Sequence, residues 1–145
     1  MDAILNVVYE KAIENDIDFS VDCKDNLSFV AGDDLAVLIG NLADNAVEAL
    51  AKEQNKKLKI SIFQNGSYGV LNVQNYCSSS VLQTNPTLYT SKADKKNHGK
   101  GISIVKSIAK KYGGDVIISD KNNEFIVSVI LDNRIFTKNP LFLPD

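Results

Sequence analysis

Asp34-Leu35-Ala36-Val37-Leu38-Ile39-Gly40-Asn41-Leu42-Ala43-Asp44-Asn45-Ala46-Val47-Glu48-Ala49-Leu50 contains no proline and, Gly40 apart, no glycine. At about 100° per residue, Leu35, Leu38, Ile39, Leu42, Ala46, Ala49 and Leu50 share one broad apolar face. The opposite stripe carries Asp34, Asn41, Asp44, Asn45, Glu48 and Lys52. The pattern predicts a helix from Leu35 to about Gln54, with Asp33 or Asp34 as its N-cap. Asn41 and Asn45 are one turn apart, so their amides project together, with Glu48 on the same stripe. Asparagine is a poor helix former because its side chain competes for backbone partners. Two of them in mid-helix have two readings: a solvated polar face, or neutral oxygen ligands for a hard cation such as Mg²⁺.

Working outward, Ala3 to Asn15 has helical spacing, with Ile4, Val7, Val8, Ala12 and Ile13 on one side. Asp18 to Cys23 alternates like a strand, and Asn26 to Val30 reads as a second short extended piece. Lys57 to Gln64 and Val70 to Asn75 form a strand pair around the turn Asn65-Gly66-Ser67-Tyr68-Gly69. Tyr76 to Asn97 has no period and is rich in Ser, Thr, Asn and Lys, as a functional lid or a disordered segment would be. A second amphipathic helix then runs to Tyr112, with Ile102, Val105, Ile108, Ala109 and Tyr112 inward, and Gly113-Gly114 stops it. Asp115 to Ser119 and Glu124 to Leu131 make a hairpin around Lys121-Asn122-Asn123. Strands that follow one another in pairs predict a two-layer α/β (α+β) sandwich. Its sheet is mixed and largely antiparallel, with helices on one face. Residues 1–132 read as one domain and 133–145 as a C-terminal tail.

The chain has 145 residues, 44% hydrophobic and 23% charged, with a formal net charge of -2. That is ordinary globular composition, with no basic field to draw nucleic acid or membrane. No apolar run approaches the roughly 18 residues that span a bilayer. No signal peptide is expected, since the first ten residues mix charged and apolar groups. Cys23 and Cys77 fit no metal pattern, and the single histidine, His98, excludes a His-rich site. A cytoplasmic setting is therefore expected. The uncapped opening helix also suggests a domain cut from a longer receptor.

His98-Gly99-Lys100-Gly101 leads straight into the second long helix. Glycines let backbone N–H groups approach phosphate oxygens, and a helix start adds free donors and partial positive charge. Lys92, Lys95, Lys96 and Lys100 stand nearby. Alone, this reads more readily as a hinge. Together, the two constellations resemble the GHKL (Bergerat-fold) ATPase superfamily. Asp34 to Leu50 resembles its N-box. Thr90-Ser91-Lys92 and His98-Gly99-Lys100-Gly101-Ile102, followed by Lys110-Lys111-Tyr112-Gly113-Gly114, resemble its lid and second glycine box. The nearest resemblance is to the catalytic domain of Agr-type quorum-sensing sensor histidine kinases, over about Ala3 to Leu131.

That resemblance implies an ATP-dependent protein histidine kinase holding ATP and Mg²⁺ between the N-box helix and the lid. It implies Asn45 as the catalytic Mg²⁺ ligand and Asn41 as its companion. Gly99 and Gly101 would stand beside the phosphates, and Thr90, Ser91 and Lys92 at the lid hinge. His98, Lys100 and Ile102 join the nucleotide-binding set. Most members carry Asp-x-Gly-x-Gly after a strand, where this chain has Asn75-Tyr76-Cys77, so Asn75 is the candidate adenine acceptor. Many histidine kinases also have a basic residue where Glu48 stands; Lys52 or Lys92 is the candidate substitute. The superfamily's hydrolytic members place a glutamate where Asn41 stands. An amide cannot act as a base near neutral pH, which favours a kinase over an ATPase. His98 beside the glycines is a poor phosphoacceptor, so the acceptor is expected on dimerisation helices elsewhere in the receptor, with a response regulator downstream. Two alternatives remain: an anti-sigma-type serine kinase of the same fold, and a degenerate docking module that transfers no phosphate.

Overall fold

The computed structural model describes residues 1–79 and 98–134, the first three of the second stretch by backbone alone. The elements run α1 (Asp2–Glu14), β1 (Asp18–Cys23), α2 (Gly32–Leu50), β2 (Lys57–Asn65), β3 (Tyr68–Tyr76), α3 (His98–Lys111), β4 (Asp115–Lys121) and β5 (Glu124–Asp132). The strands form a sheet in the order β1-β2-β3-β5-β4. β1 pairs with β2 in parallel, and every other pairing is antiparallel.

Alternation along the strands decides which face is covered. Leu58, Ile60 and Ile62 on β2, Leu71, Val73 and Asn75 on β3, and Phe125, Val127, Val129 and Leu131 on β5 are buried. Opposite them, Leu35, Leu38, Ile39, Leu42, Ala43, Ala46 and Leu50 of α2 close the core. Each fully buried leucine or isoleucine contributes about 1.5–3 kcal/mol, so α2 is held mainly by its apolar stripe. α1 packs at the β1 edge, α2 over β2 and β3, and α3 over β4 and β5.

Two hairpin turns rest on left-handed backbone. Gly66 has φ 62° between β2 and β3. Between β4 and β5, Asn122 and Asn123 have φ 54° and 62°, and asparagine adopts that region more readily than most residues. Gly114 is needed for space: a Cβ there would stand 1.6 Å from the Ile130 carbonyl oxygen.

Several local expectations are corrected. Asn26 to Val30 is a turn, not a strand. Asp25 Oδ1 accepts a hydrogen bond from the Leu27 amide at 2.7 Å, and Leu27 takes φ 49°. Leu27 is thereby driven inward beside Phe29, where a Cβ on Gly69 would come within 2.8 and 2.9 Å of their side chains. α2 starts at Gly32 with Ala31 as N-cap, and no side chain caps it. Its C-terminal end is Leu50, not Gln54, because the chain tightens there: the Glu53 amide donates to the Leu50 carbonyl at 3.0 Å. Ala49 is exposed and Ala43 is buried in its stead. On α1, Val7 and Ile13 are exposed, since the helix meets the body along the narrow stripe of Val8 and Ala12.

Candidate functional site

α2 and α3 lie side by side above the sheet. One of their contacts lies where the second helix has no side chain. A Cβ on Gly101 would lie 3.4 Å from Asn41 Oδ1, 3.9 Å from Asn45 Nδ2 and 4.0 Å from Asn45 Oδ1. The paired amides and the glycine motif, separate in sequence, therefore face each other. Asn41 Nδ2 donates to the Val37 carbonyl at 2.8 Å, which turns Oδ1 towards Gly101. Asn45 Nδ2 is buried and has no hydrogen-bond partner among the described residues. Such an orphan costs about 1–3 kcal/mol and calls for a partner beyond the described residues.

The chemistry of this spot is narrow. The unpaired amide donor suits an acceptor such as a phosphate oxygen, and amide oxygens suit a hard cation. Among the described residues, no three His, Cys, Asp or Glu side chains are grouped to hold a metal ion. A cation here would draw most of its oxygens from its ligand and from water, as Mg²⁺ does with phosphates. The residues present fit such a pair.

α3 begins at His98, so the glycine pair lies within its first turn and not in a loop ahead of it. That turn is where backbone N–H groups have no intrahelical partner. Ile102 points into the core and anchors the helix. The side chains of His98 and Lys100, and the whole of Thr90, Ser91 and Lys92, lie outside the described residues.

Asn75 stands on the helix-facing side of β3, paired with Leu58 and Phe125. Among the described residues, it is the buried polar residue of the core. Its Nδ2 donates to the Tyr76 carbonyl at 3.0 Å, which orients Oδ1 as the group available to accept. The chain beyond it is clamped. The Cys77 amide donates to the Asn123 carbonyl at 2.9 Å, and Ser78 donates to Glu53 Oε1 from its amide at 3.3 Å and its hydroxyl at 3.0 Å. The Cys77 thiol faces Asp120 Oδ1 at 3.8 Å. Burial first, and the Asp120 carboxylate second, push that thiol up to about 11, so it stays protonated and unreactive.

At the other end of the helix pair, Asp34 Oδ2 accepts from the Tyr112 hydroxyl at 2.5 Å and from Lys111 Nζ at 2.8 Å. The Tyr112 oxygen in turn accepts from the Ala31 amide at 3.0 Å. The Lys111 and Tyr112 hydrogen bonds hold the Asp34 carboxyl below its ordinary range. Sequence reasoning gave Tyr112 only a packing role and Asp34 only a capping one. The signal that could have joined them was a hydroxyl on an inward aromatic, which needs a partner when buried. Two shallow grooves of about 330 and 380 Å³ lie among open-face residues of the sheet such as Gln74 and Val70, away from Asn45 and Gly101.

The sequence profile of the GHKL domain matches residues 31–132, which contain α2, α3 and all strands but β1. The chain belongs to the GHKL domain family. Similar folds are found among histidine kinases. The nucleotide-free catalytic domain of histidine kinase ThkA has a TM-score of 0.71 and 20% identity, over 91% of this chain and 93% of that one. The mycobacterial sensor histidine kinase MprB has a TM-score of 0.64 and 16% identity, over 91% and 95%. Acinetobacter baumannii histidine kinase AdeS has a TM-score of 0.66 and 14% identity; this chain covers 61% of it, and 90% of this chain is matched. At such identities the likeness concerns the fold. No curated protein matches in sequence. This GHKL domain is thus similar in architecture to the catalytic domains of histidine kinases.

Proposed function

We propose that this GHKL domain binds Mg-ATP between α2 and α3 and transfers the γ-phosphoryl group to a histidine on a separate dimerisation helix pair of the same receptor. The observation that carries this reading is the buried Asn45 amide, unpartnered among the described residues, facing the side-chain-free Gly101. Asn45 and Asn41 would hold the Mg²⁺–triphosphate. Bound there, Mg²⁺ would neutralise charge on the β- and γ-phosphate oxygens. Asn75 would accept a hydrogen bond from the adenine amino group. The first turn of α3 would supply backbone donors to phosphate oxygens.

Asn41 cannot take a proton from water near neutral pH, so the site lacks a hydrolytic base at that place. A neutral imidazole nitrogen needs none, because it already carries a nucleophilic lone pair. Val37 and Ile104 support a docked acceptor. They are 39% and 37% exposed, one turn from Asn41 and Gly101 on the same helix faces. They offer apolar contact to an incoming helix. The proposed subtype is an Agr-type quorum-sensing sensor. On this reading the domain is the cytoplasmic part of a membrane-anchored receptor, with a response regulator downstream.

The test is a calorimetric titration with Mg-ATP and with ATP in EDTA. Magnesium-dependent binding that disappears in Asn45→Ala is expected. A radiolabel transfer assay onto the receptor's own helix pair then separates kinase from binder. One observation favours the docking-module alternative: Asn75 presents a neutral oxygen where most relatives present a carboxylate, which weakens the bond to the base. Absence of binding at millimolar Mg-ATP would select it.

A further inference from the structure

We infer that Asp34 and Tyr112 form a clasp that sets the axial register of α3 against α2, making them positioning residues for the ligand held at the far end of the same helix pair. This rests on the reading of the Asn45–Gly101 contact as a nucleotide site.

Asp34 and Asn45 are eleven residues apart on α2, and Gly101 and Tyr112 are eleven residues apart on α3 or its first residue beyond. Eleven residues span about 16 Å of helix. The helices run antiparallel, because Tyr112 meets Asp34 while Gly101 meets Asn41 and Asn45. The two contacts are thus the ends of one rectangle with equal long sides. A slip of α3 along α2 at one end must appear at the other.

The site end cannot prevent that slip. Gly101 has no side chain to interlock, and a Cβ there would make only near-ordinary contact with Asn41, at 3.4 Å. Between the ends α3 buries apolar groups such as Val105 and Ala109, whose attraction is non-directional. The clasp supplies direction. The Tyr112 hydroxyl is a two-way joint, donating to Asp34 and accepting from the Ala31 amide, so it fixes its ring both along and across α2. Phe29 meets the same ring edge-on at 6.4 Å between centroids. Lys111 adds a third arm, but its side chain is 59% exposed and contributes little to rigidity. Gly113 at φ 67° and the Gly114 contact with β5 then stop the helix immediately after the clasp. The KKYGG motif is therefore a register stop on the helix, remote from the phosphates.

Metal and phosphate geometry is unforgiving of displacements near 1 Å. The expected result for Tyr112→Phe, which removes one oxygen, is about fivefold to tenfold weaker Mg-ATP binding. Circular dichroism at the titration temperature should still report a folded domain. Val8→Ala is the control: the loss of two buried methyls on α1, away from the clasp, chosen to lower the melting temperature at least as far. It should keep affinity within about twofold. A second readout needs no nucleotide: the Gly101 amide NMR resonance in the free domain, which should shift in Tyr112→Phe and in Asp34→Ala but stay in Val8→Ala. Wild-type affinity in Tyr112→Phe, or an equal loss in Val8→Ala, overturns the clasp as a positioning device. If the wild-type domain binds no Mg-nucleotide, the reading of the site falls instead. The clasp is then judged on the Gly101 resonance alone, and an unmoved resonance overturns it.

Discussion

Gly101→Ala separates the needs of the fold from those of the ligand. Gly101 is inside α3 and its backbone is not left-handed. Replacing a helical glycine by alanine gains about 0.8–1 kcal/mol of intrinsic propensity. The new methyl would stand 3.4 Å from Asn41 Oδ1 and 3.9–4.0 Å from the Asn45 amide, so part of that gain is returned where Asn41 must yield. A net stabilisation of about 0.5 kcal/mol follows, or a rise in melting temperature of about 1–2 °C for a domain of this size. The same methyl fills the space between the two asparagines and the start of α3. A phosphate excluded from it loses charge-assisted hydrogen bonds worth at least about 1.5 kcal/mol each, or more than tenfold in affinity. Scanning calorimetry and a Mg-ATP titration on one preparation check both halves. An alanine variant that binds as tightly as the wild type would refute the placement of the phosphates here. A variant that melts several degrees lower would refute the steric argument.

Three further outcomes are expected. Asp34 has its folded carboxyl held below the ordinary 3.8, chiefly by the Lys111 and Tyr112 hydrogen bonds. Its contribution is therefore present above pH 3.8 and lost as pH falls through the lower folded value; the melting-temperature gap between wild type and Asp34→Asn should shrink on acidification from pH 5 to 3. Gly114→Ala places a carbon 1.6 Å from a backbone oxygen, and a loss of at least about 3 kcal/mol should appear in urea unfolding or as insoluble protein. Of the two thiols, exposed Cys23 should react rapidly with a disulfide reagent at pH 8. Buried Cys77, its thiol pushed up to about 11, should react only after unfolding.

Much of the fold was legible because the segments carry strong periods. The α2 stripe and the alternation in β2, β3 and β5 are set by local burial, and periodicity reads burial directly. The meeting of Asn41, Asn45 and Gly101 could be anticipated from the resemblance. It could not be anticipated from spacing, since helix-to-helix contact is a tertiary fact. What escaped was of that kind. Asn26 to Val30 looked extended because Leu27 and Phe29 alternate with Asn26 and Ser28, yet the Asp25 carboxylate bends the chain at Leu27. Val7 and Ile13 sit on a helical period but face solvent, because α1 lies at a sheet edge with body on one side only. Asp34 resembled a cap by position, but its partner, Tyr112, is 78 residues away.

The strand order has a bearing on how this domain can change. β3 and β5 are neighbours, so everything from Tyr76 to Glu124 is a single excursion that leaves mid-sheet and returns beside its own point of departure. The entropy of closing such an excursion grows only with the logarithm of its length; doubling it costs about 0.6 kcal/mol. Insertions or deletions between β3 and α3 would thus barely tax the scaffold. The segment between β3 and α3 is the part that natural variation can most cheaply lengthen, shorten or rewrite.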